Sequence, residues 1–316
     1  MKYRILSTWA SLPYPDVMDP LKTVGELKVI PEDQKQLVET IGDYDVFLTS
    51  LRTRVDKEVL DRAKRLKVIV TPSTGLDHID VAEAEKRGIK VLGIKNDYDF
   101  LKTVTATAEM AWCLLLSVVR QLPTAFDAAK QGFWGRDTFR GHQIAYKTLG
   151  ILGYGRLGEM MADYGNAFRM NVIACDLKDF QAEGVRKVDF DTLLKESDFI
   201  SIHIHLTEET KGLIGGNELA LMKPGSVLIN TSRGAIIDED ALVKALENGP
   251  MAGAGLDVIC GEWEPNLYRH PLIRYARAHD NLVVSPHLGG GTFESQKMAY
   301  TFVVKKILDF FEKWEP

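Results

Sequence analysis

Short apolar runs alternate with amphipathic stretches along most of this chain. The runs are rich in β-branched residues, which is typical of strands buried in a parallel sheet. They span 3–8, 45–50, 67–73 and 90–94, and after residue 147 they read TLGILG, NVIACD, DFISIHIHL, GSVLINTS, GAGLDV and NLVVSP. Helical periodicity separates them, for example over 56–65 and 81–87. The order of strand, helix and strand predicts an α/β protein with parallel sheets and helices on both faces.

Two similar α/β halves follow from this rhythm and from a length of 316 residues, which exceeds what one compact core usually needs. A helical pattern over 104–122 leads out of the first half. An amphipathic pattern over 293–314 follows the last strand and is expected to return to the first half. We therefore predict a discontinuous first domain, 1–103 plus 289–316, and a second domain, 104–288.

Composition narrows the function classes. The chain is 45% hydrophobic with a formal net charge of −5, and it has no cluster of Lys or Arg, so we expect no nucleic-acid partner and no anionic membrane surface. The longest apolar run, 110–119, is about half of the ~20 residues that cross a bilayer, and the N-terminal apolar stretch is too short for a signal peptide. The three cysteines lack CxxC spacing, which favours reduced thiols, a cytoplasmic protein and no metal.

A glycine motif follows the strand TLGILG. It reads Gly153-Tyr154-Gly155-Arg156-Leu157-Gly158 and opens a helical pattern through about residue 168; Asp176 ends the next strand, 18 residues beyond Gly158. In this context the motif predicts a Rossmann-type site for NAD, with the pyrophosphate at the helix N-terminus. Asp176 is expected to accept the ribose hydroxyls and to repel a 2′-phosphate, although the nearby Lys178 softens that preference. An ordinary strand-to-helix turn is the alternative.

Three polar residues follow later strands and are candidates for chemistry, because ligands of open α/β sheets bind at the carboxyl ends of the strands. His287 is suited to exchange a proton with a carbonyl oxygen, and Glu262 to orient its imidazole. Arg233 is suited to grip a carboxylate and polarise a carbonyl. On composition alone, a capping arginine, a solvated glutamate and a satisfied strand-end histidine are the favoured explanations of these three residues.

The segments INTSRGAIIDEDALVKALENG, GLDVICGE and SPHLGG resemble the signature regions of the D-isomer-specific 2-hydroxyacid dehydrogenases, and the likeness extends from STGLDHID at 73–80 to the final strand. This resemblance implies two Rossmann-like or flavodoxin-like domains, the first binding substrate and the second NAD. It implies hydride transfer between NAD(H) and a small 2-hydroxy or 2-keto acid, with Arg233, Glu262 and His287 as the catalytic residues. It also implies a homodimer, in which the helix over 104–121 and the arm through about 146 cross to the second subunit.

Further residues take roles from the same resemblance. Asp257 matches the residue that holds the nicotinamide amide. The other positions implied to line the cofactor are His203, Thr231, Ser232 and Gly290, beside Arg156 and Leu157 of the glycine motif. The backbone of Thr74 and Gly75 matches a loop that holds the substrate carboxylate, and Arg52 matches a position that reaches anionic substrates. A plain connection for the loop and a solvated surface position for Arg52 stay open.

The sequence departs from the family pattern in three places. Trp263 follows Glu262 where proline is usual, and the Glu-Pro pair comes two residues later, so Glu264 is a rival for the catalytic carboxylate. His205 replaces a usual proline, and His203 is interpreted either as a cofactor contact or as a buried strand histidine. The connection over 94–104 is longer than usual. Two other functions stay open: a noncatalytic NAD sensor or co-repressor, and a formate dehydrogenase, which normally carries glutamine where Glu262 stands.

Overall fold

The computed structural model describes residues 3–9 and 14–313. Residues 1–2 and 314–316, which the domain and last-helix predictions include, lie outside the described residues, as do 10–13. The chain divides into two compact units, one of residues up to Val104 together with those from Phe293, the other of Thr105–Thr292. Each unit has one sheet, and all pairings between its strands are parallel. The predicted α/β class with parallel sheets is thereby confirmed.

Twelve strands are present among the described residues: β1 Tyr3–Ser7, β2 Gly25–Val29, β3 Val46–Leu48, β4 Val68–Val70, β5 Lys90–Leu92, β6 Thr148–Leu152, β7 Asn171–Cys175, β8 Val185–Lys187, β9 Phe199–Ile202, β10 Val227–Asn230, β11 Gly253–Leu256 and β12 Leu282–Val284. The α-helices of the same residues are α1 Gln34–Thr40, α2 Lys57–Arg62, α3 Val81–Lys86, α4 Tyr98–Leu101, α5 Ala106–Val119, α6 Leu122–Lys130, α7 Arg156–Ala167, α8 Phe190–Glu196, α9 Gly216–Leu221, α10 Glu239–Asn248, α11 Pro271–Ala276 and α12 Phe293–Lys313. Short 3₁₀ helices cover Pro15–Thr23, Ile41–Asp43, Gly234–Ile236 and Leu267–Arg269.

The sheet of the first unit has the order β2-β1-β3-β4-β5, which is the flavodoxin-like arrangement. Helix α12 belongs to this unit, where Val303 and Ile307 pack with Ile5 and Val46 in an apolar cluster. Strand β2 was not predicted, because it lies at the sheet edge and most of its side chains are at least partly exposed. Such a strand lacks the apolar run that marks a buried one.

The sheet of the second unit has the order β12-β11-β10-β9-β6-β7-β8, which contains the Rossmann arrangement. Strands β7 and β8 lie on one side of β6, whereas β9 and the later strands lie on its other side, so the strand order reverses between β6 and β9. The crevice outside the carboxyl ends of those two strands is where such folds bind ligands. Strand β8 is also an edge strand, is only three residues long, and was not predicted from the sequence. Strand β9 ends at Ile202, so the predicted strand DFISIHIHL is too long and His203 lies just beyond it.

The helix predicted over 104–122 is two helices. Helix α5 ends at Val119, Gln121 has a φ of +50°, and α6 begins at Leu122 with a proline in its first turn. Within the described part of the chain, only the stretch Tyr98–Val119 meets the length and hydropathy expected of a membrane span. Its larger part, α5, packs on β10, β11 and α7, which accounts for its apolar composition.

The connection over 94–104 contains helix α4 and is anchored to α12. The ammonium of Lys306 donates to the carbonyl oxygen of Gly93 at 2.8 Å and to Oδ2 of Asp97 at 2.6 Å. One side chain thus satisfies a backbone acceptor and a carboxylate together. Sequence periodicity did not define the connection over 94–104. In the structure the Lys306 ammonium anchors it, although Lys306 and Asp97 are 209 positions apart in the chain.

Candidate active site

The glycine turn of the second unit lies at the reversal point of its sheet. Gly153 follows β6 with a φ of +96°, a left-handed conformation that favours glycine. A Cβ at this position would come within 2.7 Å of the carbonyl oxygen of His203, which follows β9. The turn therefore approaches β9 so closely that only glycine fits.

The N-terminus of α7 is open toward a ligand. Gly155 is its N-cap and no side chain caps it, and a Cβ there would meet nothing within 4 Å. A Cβ on Gly158 would instead overlap the backbone of Gly153, so the helix starts tightly against the turn. Backbone N–H groups at an open helix end are suited to a pyrophosphate. The residues present therefore fit a dinucleotide, as the sequence predicted.

Arg156 and Leu157 form the first turn of α7. Burial lowers the pKa of Arg156, and Leu157 packs against the apolar cluster of the unit. Asp176 lies beyond β7, and its carboxylate accepts the backbone N–H groups of Tyr154 and Lys178 at 2.7 and 2.8 Å. These two bonds fix the carboxylate beside the glycine turn, and each oxygen retains a second lone pair. The predicted bond to a ribose hydroxyl is compatible with this arrangement.

Polar atoms cluster after β9 and β10. His203 Nε2 lies 2.7 Å from the hydroxyl of Ser201, whereas its buried Nδ1 has no hydrogen-bond partner among the described residues. Burial, assisted by the charge of Arg156, lowers the pKa of His203 to about 3, so the ring is neutral at physiological pH.

Two hydroxyl residues follow β10. The buried Oγ1 of Thr231 likewise lacks a hydrogen-bond partner within the described part. Ser232 instead donates to the carbonyl oxygen of Ile202 at 2.8 Å, tying β10 to β9. A buried polar atom without a partner is costly, so Thr231 Oγ1 and His203 Nδ1 are candidates for contacts with a ligand.

His287 and Glu262 form a direct pair. The Nδ1 atom of His287 lies 2.7 Å from Oε1 of Glu262, and both side chains are less than one-fifth exposed. The rival Glu264 is exposed, and its backbone N–H closes a turn on the carbonyl oxygen of Gly261 at 2.8 Å. Of the two carboxylates, the structure therefore brings Glu262 to the imidazole. Trp263 stacks on the same ring at a centroid distance of 5.8 Å.

The turn that carries His287 is held by Asp257. His287 has a φ of +56°, which is unusual for a side chain with a Cβ. The buried Asp257 accepts hydrogen bonds from the Ser285 hydroxyl and from the N–H groups of Leu288 and Gly289, at 2.6–2.7 Å. Besides the predicted contact with the nicotinamide amide, Asp257 thus stabilises the backbone that presents the imidazole. Gly290, just beyond this turn, is exposed.

Arg233 stands at the start of the 3₁₀ turn Gly234–Ile236, and its guanidinium donates to the carbonyl oxygen of Ser232 at 2.7 Å. A Cβ on Gly234 would overlap the backbone of Ile259 and Cys260, so glycine is required by close approach. Because Glu262 follows Cys260 by two positions, this contact holds the Arg233 turn against the segment that carries Glu262. Two distant parts of the sequence are thereby connected within the second unit.

The predicted substrate residues belong to the first unit. Thr74 and Gly75 lie in the loop after β4, where the Ser73 hydroxyl donates to the Gly75 carbonyl oxygen at 2.8 Å and thereby orients the loop. Arg52 follows β3, is largely exposed, and lies 3.4 Å from Glu32.

A second buried pair escaped the sequence analysis. His270 Nε2 lies 3.2 Å from Oε2 of Glu239, and both side chains are mostly buried. Glu239 also accepts the N–H of Cys260 at 2.7 Å. No local signal marks these residues, because they meet only after the chain has folded.

A glycine turn at the reversal point of a Rossmann-ordered sheet defines a dinucleotide-binding protein. The sequence profile described as "D-isomer specific 2-hydroxyacid dehydrogenase, NAD binding domain" matches residues 112–289. The chain belongs to that family of NAD-dependent oxidoreductases. This confirms the predicted family, enzyme class and cofactor.

Individual relatives agree with this assignment. A glyoxylate reductase of Thermococcus litoralis is 41% identical over 87% of this chain and 82% of its own. A hydroxypyruvate reductase of Thermotoga maritima is 36% identical over 89% of this chain and 90% of its own. Among solved structures, a D-lactate dehydrogenase of Aquifex aeolicus complexed with NAD and lactic acid has a TM-score of 0.82 and 29% identity, and the match covers 98% of this chain and 95% of that one.

Proposed function

We propose that this chain interconverts a small 2-keto acid and its 2-hydroxy acid, with His287 as the group that gives and takes the proton. NAD(H), when bound, accepts or supplies the hydride. The 2.7 Å contact between His287 Nδ1 and Glu262 Oε1 carries the proposal. With Nδ1 engaged by the carboxylate, Nε2 is the ring nitrogen that exchanges a proton with the substrate oxygen.

Glu262 orients the imidazole and balances the positive charge that forms on the ring when it takes up a proton. The side chains of both residues are mostly buried, so solvent screens this interaction only in part. The backbone of His287 is held independently through Asp257. The proton-exchanging group is therefore constrained at both its side chain and its main chain, as a general acid and base requires.

Arg233 takes the role of substrate ligand. A planar guanidinium grips a carboxylate through two parallel hydrogen bonds and stabilises negative charge that develops on a neighbouring carbonyl oxygen. The close approach of Gly234 to the Ile259–Cys260 backbone supports this role, since it fixes the Arg233 turn relative to the Glu262 segment.

The names of the relatives suggest the substrates. Glyoxylate and hydroxypyruvate are both small 2-keto acids, and we propose one of them as the preferred substrate. The backbone N–H groups of Thr74 and Gly75 are proposed to bind its carboxylate, and Arg52 is proposed to assist with anionic substrates. The first unit is accordingly proposed as the substrate-binding domain and the second as the NAD-binding domain.

The test is a panel of 2-keto acids assayed by loss of NADH absorbance, with the wild type, His287→Ala and, as a control, the exposed His279→Ala. We expect turnover of at least one small acid. His287→Ala should lower kcat roughly 100- to 10,000-fold while NADH still binds, and His279→Ala should change little. Near-normal turnover by His287→Ala, or no turnover of any acid by the wild type, would refute the proposal.

We further propose that the chain forms a homodimer through α6 and the arm that follows it. Large aromatic side chains are exposed there: Phe126, Phe133, Trp134 and Tyr146, with Trp134 85% exposed. Exposed apolar groups that cluster in one segment are typical of an interaction surface. Light scattering should give a dimer for the wild type and a shift toward monomer for Trp134→Ser, whereas Leu177→Ser, an exposed position outside the arm, should leave the mass unchanged. A monomeric wild type at micromolar concentration would contradict this.

The cytoplasm is the proposed location, because all three cysteines are free thiols. Fractionation of the source cells followed by immunodetection is the test. Recovery of the chain outside the cytoplasmic fraction would overturn this proposal.

A further inference from the structure

Glu239 lies at the first position of α10, directly after the N-cap Asp238. Its side chain is only 13% exposed and contacts two distant points of the chain. Oε1 accepts the backbone N–H of Cys260 at 2.7 Å, and Oε2 lies 3.2 Å from His270 Nε2. One buried group therefore holds both ends of the segment 260–270, which contains Glu262.

Placing a carboxylate in this mostly buried space has an energetic penalty, because the charged group loses its hydration. Burial raises the pKa of Glu239, although the Cys260 N–H and His270 oppose that shift. A buried charge with partners contributes little net stability compared with apolar packing of the same volume. What the group does provide is directional bonding, because its two oxygens define where the Cys260 N–H and the His270 ring must lie.

The segment after Cys260 depends on such an anchor. Gly261 has a φ of +63°, and its carbonyl oxygen accepts the Glu264 N–H at 2.8 Å, so Glu262 sits inside a tight turn. On its other side the Cys260 backbone touches Gly234 of the Arg233 turn. The Glu239 bond at Cys260 is thus a fixed point two residues before the carboxylate that meets His287.

We propose that Glu239 is a positioning residue that holds the segment 260–270 so that Glu262 meets His287. This role rests on the proposed function, because it matters only if the His287–Glu262 pair exchanges the proton. Glu239 acts through Cys260 and His270 and takes no part in the reaction itself.

The test compares Glu239→Ala and Glu239→Gln with the wild type, using NADH and the best keto acid of the panel. Glu239→Ala should lower kcat roughly 10- to 100-fold, since a misplaced catalytic group loses that much, and should leave the KM for NADH nearly unchanged. Glu239→Gln should retain most of kcat, because its amide oxygen still accepts the Cys260 N–H. Glu247→Ala, an exposed position on the same helix, is the control and should behave as wild type.

A double-mutant cycle separates positioning from a general loss of structure. In the Glu262→Gln background, Glu239→Ala should change kcat by less than about twofold, because the group it positions has already been disabled. An equal fall in both backgrounds would overturn the proposal. Should Glu239→Ala fail to fold, Glu239→Asp replaces it, since it keeps the charge but withdraws the carboxylate by one methylene; it should show the same fall in kcat.

The outcomes distinguish the two proposals. If His287→Ala keeps its turnover, the proposed function is wrong. If His287→Ala is inactive while folded Glu239→Ala or Glu239→Asp keeps wild-type kcat, the proposed function stands and the positioning role is wrong.

Discussion

The imidazole Nδ1 of His287 lies 2.7 Å from Oε1 of Glu262, although 25 positions separate the two residues in the chain. No local spacing along the chain brings them together. Two loops do so, one after β11 and one after β12, which are neighbours in the sheet. The contact places Glu262, rather than Glu264, at the imidazole, and the role proposed for this carboxylate can be tested directly.

Glu262→Gln should lower kcat roughly 100-fold, because the amide no longer balances charge on the ring, whereas Glu264→Gln should stay near wild type. Steady-state kinetics on the pair provides its own control, since the two positions lie in the same turn. A greater loss of kcat in Glu264→Gln than in Glu262→Gln would show that Glu264, and not Glu262, is the partner of His287.

Asp257→Asn should both destabilise the protein and lower kcat. The carboxamide NH₂ would face the N–H of Leu288 or Gly289, leaving a buried donor without its acceptor at a cost of about 1–3 kcal/mol. Urea denaturation and NADH turnover measure the two effects, with the exposed Asp280→Asn as the control. Unchanged stability of Asp257→Asn would show that these bonds do not hold the turn.

His203, whose Nδ1 atom is buried, should make the fold sensitive to acid. Its pKa is about 3 in the folded protein and near 6.5 when unfolded, so between these values the unfolded state binds more protons and stability falls as pH falls. The fall is roughly 1 kcal/mol for each pH unit below 6.5. His203→Gln removes this contribution, and thermal melts from pH 7 to pH 5 should show a smaller decrease in Tm for the variant. Parallel curves for the two proteins would argue against the assignment.

The Cys260 thiol should resist modification in the folded protein. Burial, together with Glu239, raises the pKa of this thiol to about 11, so at pH 8 it stays protonated and unreactive. Wild type and Cys260→Ser should therefore release the same amount of thionitrobenzoate from Ellman's reagent in the native state and differ by one equivalent in denaturant. Rapid native labelling of Cys260 would disprove this.

Asp176→Asn should weaken the preference for NADH over NADPH. The amide oxygen can still accept the Tyr154 N–H, but the charge that repels a 2′-phosphate is lost. We expect the NADPH-to-NADH ratio of kcat/KM to rise at least about tenfold, with the exposed Asp191→Asn as the control. A ratio that does not change would mean that other groups select the cofactor.

The sequence alone determined the features that depend on local pattern. Buried parallel strands must be apolar on both faces, so their runs were recognisable, and the glycine turn was recognisable because a strand, a helix and an acidic residue surround it at fixed spacing. The family motifs placed Arg233, Glu262 and His287 among the candidates. Edge strands β2 and β8 were missed because one side of each lacks a neighbour and polar residues are tolerated there.

Only the tertiary structure decided which side chains meet. The family resemblance favoured Glu262 and left Glu264 as a rival, and the folded structure brings Glu262 to His287. The bonds from Asp257 to the His287 turn, and from Glu239 to Cys260 and His270, join residues that are remote in sequence. Such contacts depend on how loops from neighbouring strands converge, and short-range propensities carry no information about that convergence.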